Sequence, residues 1–321
     1  MKLAAVGAGR MGRGIALAFA IAGYEFTLVD LKRRTQGEWS KLSAEATSEM
    51  AASLDMLADL GAISDAGSAM ALIRVLPAEE AEAALADCDV LFEAVPETLE
   101  AKRDAFGCIC TLVPSTTILA STTSTILVTD LVPLVTHPER LLNAHWLNPA
   151  YVIPLVELSR HPETSQDALV RLERLLEAAG KVTVRCGPTP GYIVPRLQAL
   201  MMNEAARMVE EGAASAEDID KATRYGLGLR FAAIGVIEFI DYGGNDILYY
   251  ASRYLAERVS GERYAPPQNV QRLMREGQLG LKSGRGFYDY HGRDLQAYRR
   301  DVLARTLAAA AMLRAKASAE G

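Results

Sequence analysis

The sequence lacks the features of several protein classes. It holds 34 lysines and arginines against 40 acidic residues, a net charge of −6, and without a basic excess we expect no nucleic-acid partner. It has only four cysteines and no CxxC pair. It therefore predicts neither a metal site nor a dithiol redox site, and it is typical of a reduced, cytoplasmic setting. The cysteines are Cys88, Cys108, Cys110 and Cys186.

Long apolar runs are missing as well. No stretch approaches the roughly 18 consecutive apolar residues of a membrane-spanning helix, so we expect no membrane segment. The apolar beginning, MKLAAVGAGRMGRGIALAFAIAG, is interrupted by Arg10 and Arg13, and no cleavage-like segment follows it. We therefore expect it to fold as part of a domain and not to act as a secretory leader.

What is present is an alternation of strand-like and helix-like segments. Residues 2–6 fit a buried strand, 12–23 an apolar helix and 25–30 a second strand. Such alternation predicts an α/β domain of the Rossmann-like type, with a doubly wound, mostly parallel sheet. Further strands are expected at 89–95, 117–122, 141–146 and 182–186, and further helices at 39–60, 98–112, 126–136 and 165–179.

The pattern changes after the segment CGPTPG at 186–191, because only helical patterns follow it. The length of 321 residues suits two domains. We therefore expect the sheet domain over residues 1–187 and a smaller all-helical domain over residues 188–321. The helices of the second domain are expected at 192–211, 215–225, 232–258, 266–276 and 295–317.

The loop after the first strand has the pattern G-x-G-x-x-G. Gly7 permits a sharp turn, Gly9 lets the backbone approach a pyrophosphate, and Gly12 lets the helix pack closely on the sheet. Asp30 ends the next strand, where a carboxylate accepts the ribose hydroxyls and repels a 2′-phosphate. The first domain is therefore predicted to bind NAD, with NADP left open by Arg33 and Arg34. Cofactor contacts are predicted for Gly7, Ala8, Gly9, Arg10, Met11, Gly12 and Asp30.

A second set of candidate residues lies in NAHWLNPAYVIPLVELSR, at 143–160. His145 ends a predicted strand, and ligands of open α/β sheets collect at such strand ends. Glu157 follows after a mostly apolar stretch. A neutral imidazole oriented by a carboxylate is a general base suited to taking a hydroxyl proton. This is the group that a nicotinamide-dependent alcohol oxidation requires. Taken alone, each residue is equally typical of a structural position.

Several motifs in the same order make the chain similar to the L-3-hydroxyacyl-CoA dehydrogenases. GAGRMGRGIA resembles the nucleotide loop of that family, and HWLNPAYVIPLVEL resembles its H-F-F-N-P and L-V-E segments. The likeness runs nearly from end to end. The remaining matches are VPETLEAK at 95–102 to V-x-E-x-x-x-x-K, STTST at 121–125 to S-N-T-S-S, PGYIVPRL at 190–197 to P-G-F-x-x-N-R, and GLKSGRGFYDY at 280–290 to G-x-K-[ST]-G-x-G-F-Y.

The resemblance implies an NAD-dependent interconversion of an (S)-3-hydroxyacyl-CoA and its 3-oxo form, as in fatty acid metabolism. It also implies a second domain that closes over the site and forms a homodimer. His145 would be the general base and Glu157 its orienting carboxylate. The other implied roles are substrate hydrogen bonding for Ser124, a place near the nicotinamide for Asn148, contact with the neighbouring ribose for Glu97 and Lys102, and a reach to the cofactor for Lys282.

One departure from the family pattern is Pro195, which stands where the family has the Asn of P-G-F-x-x-N-R. Proline supplies no hydrogen-bond donor, although it fits the first turn of a helix. Losing such a donor costs about 2–4 kcal/mol of transition-state stabilisation when nothing replaces it. Gln198 and Asn203 are nearby candidates for a replacement. A non-catalytic NAD-binding protein, as in lambda-crystallin, is the alternative that Pro195 favours.

A second ambiguity concerns the acyl carrier. Parts of the sequence are similar to the gulonate dehydrogenase and lambda-crystallin branch, which acts on free 3-hydroxy acids. The family's CoA-binding lysines lie on the helical arm after the second strand, but here residues 36–62 offer only Lys41 among many acids. A free 3-hydroxy acid is therefore the alternative substrate, with Arg196 and Arg230 as candidate carboxylate partners.

Overall fold

The computed structural model describes residues 1–317 and divides the chain into two compact units. The first unit is Met1–Met201, and the second begins at Met202. This division falls inside a helix, Val194–Glu210, downstream of the expected boundary at 187/188. None of the helices in the described residues combines the length and the apolarity needed to cross a bilayer.

The first unit is built on an eight-stranded sheet with the order β3-β2-β1-β4-β5-β6-β7-β8. Only the β6–β7 pair is antiparallel, while all other neighbours pair in parallel, so β7 and β8 run opposite to the first six strands. The expected doubly wound, mostly parallel sheet is confirmed. The strands are β1 Leu3–Val6, β2 Phe26–Val29, β3 Ile73–Leu76, β4 Val90–Glu93, β5 Ile118–Ser121, β6 Leu141–Trp146, β7 Leu155–Ser159 and β8 Val182–Cys186.

Helices cover both faces of this sheet, so its central strands are buried on both sides. Alternate residues of β1 enter different cores, Leu3 and Ala5 one and Ala4 and Val6 the other, as the two-residue period of a strand requires. The helices are α1 Arg10–Ile21, α2 Gln36–Asp59, α3 Ala66–Ala71, α4 Ala81–Leu85, α5 Leu99–Leu112, α6 Val128–Leu131, α7 Gln166–Ala178 and α8 Val194–Glu210, with 3-10 turns at Ala78–Glu80, Val132–Leu134 and Pro138–Arg140.

Three sequence expectations need correction. Strands β3 and β7 were not expected, since β3 has only four residues and prolines precede β7. The helix expected at 126–136 is the short α6 followed by a 3-10 turn, because Pro133 cannot donate an α-helical hydrogen bond. The helix expected at 232–258 is two helices separated at Gly244, whose φ of +112° favours glycine.

The second unit is helical. Within residues 202–317 the only β-structure consists of two isolated bridges, Gly280 with Arg285 and Arg285 with Asp289. The expected helical character is confirmed. Buried Asp241 holds the segment 280–290 by accepting hydrogen bonds from the backbone N–H groups of Phe287 and Tyr288. The helices are α9 Ala216–Ala222, α10 Leu229–Ala233, α11 Val236–Gly243, α12 Asn245–Arg258, α13 Gly261–Tyr264, α14 Gln268–Arg275 and α15 Leu295–Ala317, with a π-helical segment at Thr223–Gly228.

Candidate active site

The predicted site residues of the first unit follow the carboxyl ends of parallel strands. The sheet order reverses where β1 lies between β2 and β4, and ligands of such sheets bind beyond the strand ends at this switch point. The fold therefore places the glycine loop and the candidate base at one edge. The residues at or just after these ends are Gly7 after β1, Asp30 after β2, Glu97 after β4, Ser124 after β5 and His145, the second-to-last residue of β6.

The three glycines of the loop meet different steric demands. Gly7 has a φ of +109°, and a Cβ there would lie 2.5 Å from the carbonyl oxygen of Ala94. A Cβ on Gly12 would lie 2.0 Å from the carbonyl oxygen of Gly7. A Cβ on Gly9 would meet no atom within 4 Å. Two glycines thus allow close packing, while Gly9 leaves an open backbone face where α1 begins at Arg10.

A cavity of about 780 Å³ adjoins this loop. Asp30 lines it and is held by a hydrogen bond from the Nε of Arg34 and by one of 3.3 Å from the backbone N–H of Lys32. Arg34, a residue that could have favoured NADP by binding its 2′-phosphate, is therefore paired with Asp30, the residue predicted to bind the ribose. Backbone N–H groups at the helix start, an apolar lining and the carboxylate of Asp30 fit the adenosine and pyrophosphate parts of NAD, while a second carboxylate, Asp104, also lines the cavity. The apolar lining includes Val6, Leu31, Leu42 and Val95.

His145 and Glu157 are brought together by the antiparallel pairing of β6 and β7, in which they are register partners. The Nδ1 atom of His145 lies 2.8 Å from Oε2 of Glu157, and both residues are buried. The other carboxylate oxygen accepts hydrogen bonds of 2.9 Å from the backbone N–H groups of Ile193 and Val194. Burial raises the pKa of Glu157, but the hydrogen bond with His145 and those from the backbone outweigh it, so the pKa lies below its ordinary 4.5.

The ionised carboxylate of Glu157 fixes the tautomer of the imidazole. A carboxylate can only accept, so Nδ1 carries the hydrogen and Nε2 keeps a free lone pair. Within residues 1–317, Nε2 of His145 has no hydrogen-bond partner. The arrangement can therefore accept a proton at Nε2 and stabilise the resulting cation through Glu157.

Glu97 organises the loop that carries Ser124. Its Oε1 accepts hydrogen bonds of 2.9 Å from the backbone N–H groups of Ser124 and Thr125, and hydroxyl hydrogen bonds from Thr123 at 2.5 Å and Thr125 at 2.9 Å. Partial burial opposes ionisation, but these bonds and the nearby ammonium of Lys102 lower the pKa of Glu97. Ser124 itself is exposed.

Lys102 lies in the interior and not at the surface of the site. Its side chain is fully buried, with Nζ 2.9 and 2.8 Å from the two carboxylate oxygens of Glu93. The hydroxyl of Ser121 donates a 2.5 Å hydrogen bond to the same carboxylate. Glu97 lies farther away, at 3.7 Å from Nζ. Lys102 therefore faces a buried partner that the sequence motifs do not mark.

The remaining predicted residues have other surroundings. Asn148 is exposed in the turn after β6 and lines a cavity of about 330 Å³ with Arg10, Arg13 and Tyr151. Pro195 lies in the first turn of α8, where proline is tolerated as expected. In the second unit, Lys282 forms an ion pair of 2.9 Å with Asp246.

The family models match nearly the whole folded chain. The model described as the NAD binding domain of 3-hydroxyacyl-CoA dehydrogenase covers residues 2–189, and that of the C-terminal domain covers residues 191–290. The chain belongs to the 3-hydroxyacyl-CoA dehydrogenase family. Its first domain is the NAD-binding domain of this family of oxidoreductases, so the NAD prediction is confirmed.

Individual proteins of known name or structure resemble the chain over most of its length. The 3-hydroxybutyryl-CoA dehydrogenase of Bradyrhizobium diazoefficiens is 30% identical, with 91% of this chain and 96% of the relative covered. The crystal structure of the 3-hydroxyacyl-CoA dehydrogenase of Archaeoglobus fulgidus is 32% identical, covers 96% and 99% of the two chains and has a TM-score of 0.73. A 5-formyl-3-hydroxy-2-methylpyridine 4-carboxylic acid 5-dehydrogenase, named as an NAD+-dependent dismutase, is 28% identical, with coverages of 95% and 97% and a TM-score of 0.70.

Sequence reasoning missed Tyr192, which contacts the base directly. Its ring stacks on the imidazole of His145 with centroids 4.8 Å apart and planes at 8°. The available signal was the segment PGYIVPRL, where the motif of the 3-hydroxyacyl-CoA dehydrogenase family has Phe. Glu93 and Asn143 were missed as well, because a polar residue inside an apolar strand has no local signal for its partner.

Proposed function

We propose that the protein interconverts an (S)-3-hydroxyacyl-CoA and the 3-oxoacyl-CoA, with NAD as cofactor and His145 as general base. The observation that carries the proposal is the 2.8 Å contact of Nδ1 of His145 with the carboxylate of Glu157, at a strand end on the same sheet edge as the glycine loop. A base with a fixed tautomer beside a nicotinamide site suits the removal of a hydroxyl proton.

His145 takes the hydroxyl proton at Nε2, and Glu157 stabilises the imidazolium that forms. The backbone N–H groups of Ile193 and Val194 hold the other carboxylate oxygen, so Glu157 cannot rotate away as charge develops. When bound, NAD accepts the hydride from the substrate carbon that carries this hydroxyl group.

The remaining residues bind the substrate or the cofactor, or hold the groups that do so. Ser124 donates a hydrogen bond to the substrate oxygen, from a loop whose backbone Glu97 holds. Asn148 contacts the nicotinamide side of the cofactor. Lys102 acts from the interior, since its ammonium lies 3.7 Å from Glu97 and balances the charge of that carboxylate. Lys282 reaches the cofactor from the helical domain. We retain 1–187 and 188–321 as the division between the NAD-binding and the substrate-closing domain.

A free 3-hydroxy acid is the second candidate substrate, favoured by the charge of α2. The only lysine of this helix, Lys41, lies 3.9 Å from Glu45, and Glu49 forms an ion pair with Arg13. A nucleotide phosphate tail would therefore meet a paired cation and several acids. The similar pyridine carboxylic acid dehydrogenase is named for a substrate without CoA. The relatives named as 3-hydroxybutyryl-CoA dehydrogenases favour the thioester.

We also propose a homodimer formed through the helical domain, in the cytoplasm, and a part in fatty acid metabolism. Several large apolar side chains of that domain are exposed, and clusters of such side chains are typical of subunit contacts. Light scattering should give twice the chain mass in solution, and a monomer would contradict the dimer. The exposed residues include Met202, Met208, Val209, Ile247, Tyr250 and Tyr254.

The proposal is tested by steady-state kinetics that follow NADH absorbance. We expect acetoacetyl-CoA to be reduced with NADH. A difference of about two orders of magnitude in kcat/KM between this thioester and free 3-hydroxy acids decides between the two substrate classes. The variant His145→Gln should lose about 100-fold or more in kcat while its NAD affinity stays unchanged. Unaltered turnover in this variant would remove His145 from the mechanism. No turnover of either substrate class would favour a non-catalytic NAD-binding protein.

A further inference from the structure

Tyr192 has an unusual backbone conformation, and its side chain contacts both His145 and the loop that carries Ser124. It is buried and has a φ of +40°, in the left-handed region that an aromatic residue rarely adopts. It directly follows Gly191, whose φ is +78°, and precedes α8. Such a conformation persists only where the surroundings of the side chain hold it, and these positions are concentrated at functional sites.

The ring of Tyr192 restrains the base. It lies parallel to the imidazole of His145, with 4.8 Å between the centroids and 8° between the planes. Glu157 holds Nδ1 in the plane of the imidazole, and Tyr192 covers one face of it. Together the two contacts limit rotation of the imidazole and so fix the direction of Nε2.

The hydroxyl of Tyr192 reaches the loop that carries Ser124. It donates a hydrogen bond of 2.8 Å to the carbonyl oxygen of Thr123, the residue before Ser124. It also accepts a 3.0 Å hydrogen bond from Nδ2 of Asn143, whose second hydrogen is donated to the carbonyl oxygen of Ile126 at 3.0 Å. The hydroxyl and the amide therefore hold the 123–126 loop at both ends.

Burial keeps this hydroxyl a donor. Loss of solvent around Tyr192 raises the pKa of its phenol, and the hydrogen bond from Asn143 only partly offsets that effect. The proton therefore stays on the oxygen throughout the pH range in which a dehydrogenase works. The bond to the carbonyl oxygen of Thr123, which needs that proton, persists throughout the same range.

From these contacts we infer that Tyr192 is a positioning residue, which sets the geometry of Ser124 relative to His145. This role rests on the proposed function. In this chain the family pattern P-G-F-x-x-N-R has Tyr192 for Phe and Pro195 for Asn. The chain thus lacks an amide donor at 195 and has gained a phenol donor at 192. The phenol of Tyr192 fixes the loop of Ser124 through its hydrogen bond to the carbonyl oxygen of Thr123.

The experiment is a double-mutant cycle between Tyr192→Phe and Ser124→Ala. Tyr192→Phe keeps the stacked ring and removes only the hydroxyl. We expect kcat to fall about tenfold, the equivalent of one lost hydrogen bond, with the Kd of NADH unchanged. In the Ser124→Ala background the same change should lower kcat by less than about twofold, because Ser124 is then no longer there to be positioned.

A merely structural hydroxyl gives a different result. Tyr298→Phe is the matched control, since its phenol donates a 2.9 Å hydrogen bond to Glu238 in the second unit. This variant should change the melting temperature as much as Tyr192→Phe does and leave kcat unaltered. An unchanged kcat in Tyr192→Phe, or an equal loss in both Ser124 backgrounds, would overturn the positioning role. The wild-type and His145→Gln rates, measured in parallel, show separately whether the proposed function itself holds.

Discussion

His145 and Glu157 face each other across β6 and β7, and their side chains meet because the two strands pair in one register. A slip by one residue would turn the carboxylate to the opposite face of the sheet. The register is held by the burial of Trp146, Val156 and Leu158 in the apolar core. The packing of the sheet therefore also determines the orientation of the candidate base.

The pairing of His145 with Glu157 predicts how the stability of the folded chain falls at acid pH. The pKa of Glu157 lies below its ordinary 4.5 in the folded chain, so the folded state binds fewer protons than the unfolded state between the two pKa values. The stabilisation is complete above the unfolded pKa and is lost as the pH falls through the folded pKa. In urea unfolding from about pH 6 to about pH 3, Glu157→Gln should lose less stability than the wild type. Exposed Glu163→Gln serves as the charge control, and parallel curves for wild type and Glu157→Gln would contradict the expectation.

Asp30 predicts the choice of nucleotide. Its carboxylate is held by Arg34 and by the backbone N–H of Lys32, which leaves acceptor capacity for ribose hydroxyls. Asp30→Ala should weaken NAD binding by about tenfold or more, the worth of hydrogen bonds to a charged group. The same change frees Arg34 for a 2′-phosphate, so NADP binding should not weaken. Calorimetric titration with both nucleotides checks this, and equal weakening of both would rule out the role of Asp30.

Two variants of the glycine loop should distinguish its role in helix packing from its role in NAD binding. A Cβ at Gly12 would lie 2.0 Å from a backbone oxygen, so Gly12→Ala should lower the free energy of unfolding by about 1–3 kcal/mol or more. Gly9→Ala meets no atom within 4 Å and should leave stability unchanged while weakening NAD. Thermal unfolding and NAD titration of both variants give the comparison. Normal NAD affinity in Gly9→Ala would show that this backbone face is not the phosphate site.

The interior ion pair of Lys102 and Glu93 predicts strong coupling. Both side chains are fully buried, so Lys102→Met leaves an uncompensated carboxylate and should cost about 3–5 kcal/mol. Glu93→Gln in the same chain removes that charge and should restore part of the loss. Urea unfolding of the two single variants and the double variant measures the coupling. Additive losses would mean that the two charges do not stabilise each other.

Local patterns were sufficient for much of the fold. The strands at 141–146 and 182–186 and the helix at 295–317 have the bounds that the sequence predicts. Alternating segments and the early glycine pattern indicated the sheet and the nucleotide loop. The helix expected at 232–258 is divided because Gly244, which directly follows Gly243, adopts a positive φ; adjacent glycines are a local turn signal that the helical prediction did not use.

The sequence by itself determined features that are local in the chain: the glycine loop, the acid that follows β2, and the motifs around His145 and Ser124. Short-range periodicity and turn chemistry carry that information. The family resemblance already paired Glu157 with His145, but only the tertiary structure decided that the two meet, buried, through the unexpected β7. Only the tertiary structure likewise decided that Lys102 lies inside against Glu93 and that Tyr192 covers the imidazole. These contacts depend on strand register and on packing in three dimensions, which local sequence patterns do not specify.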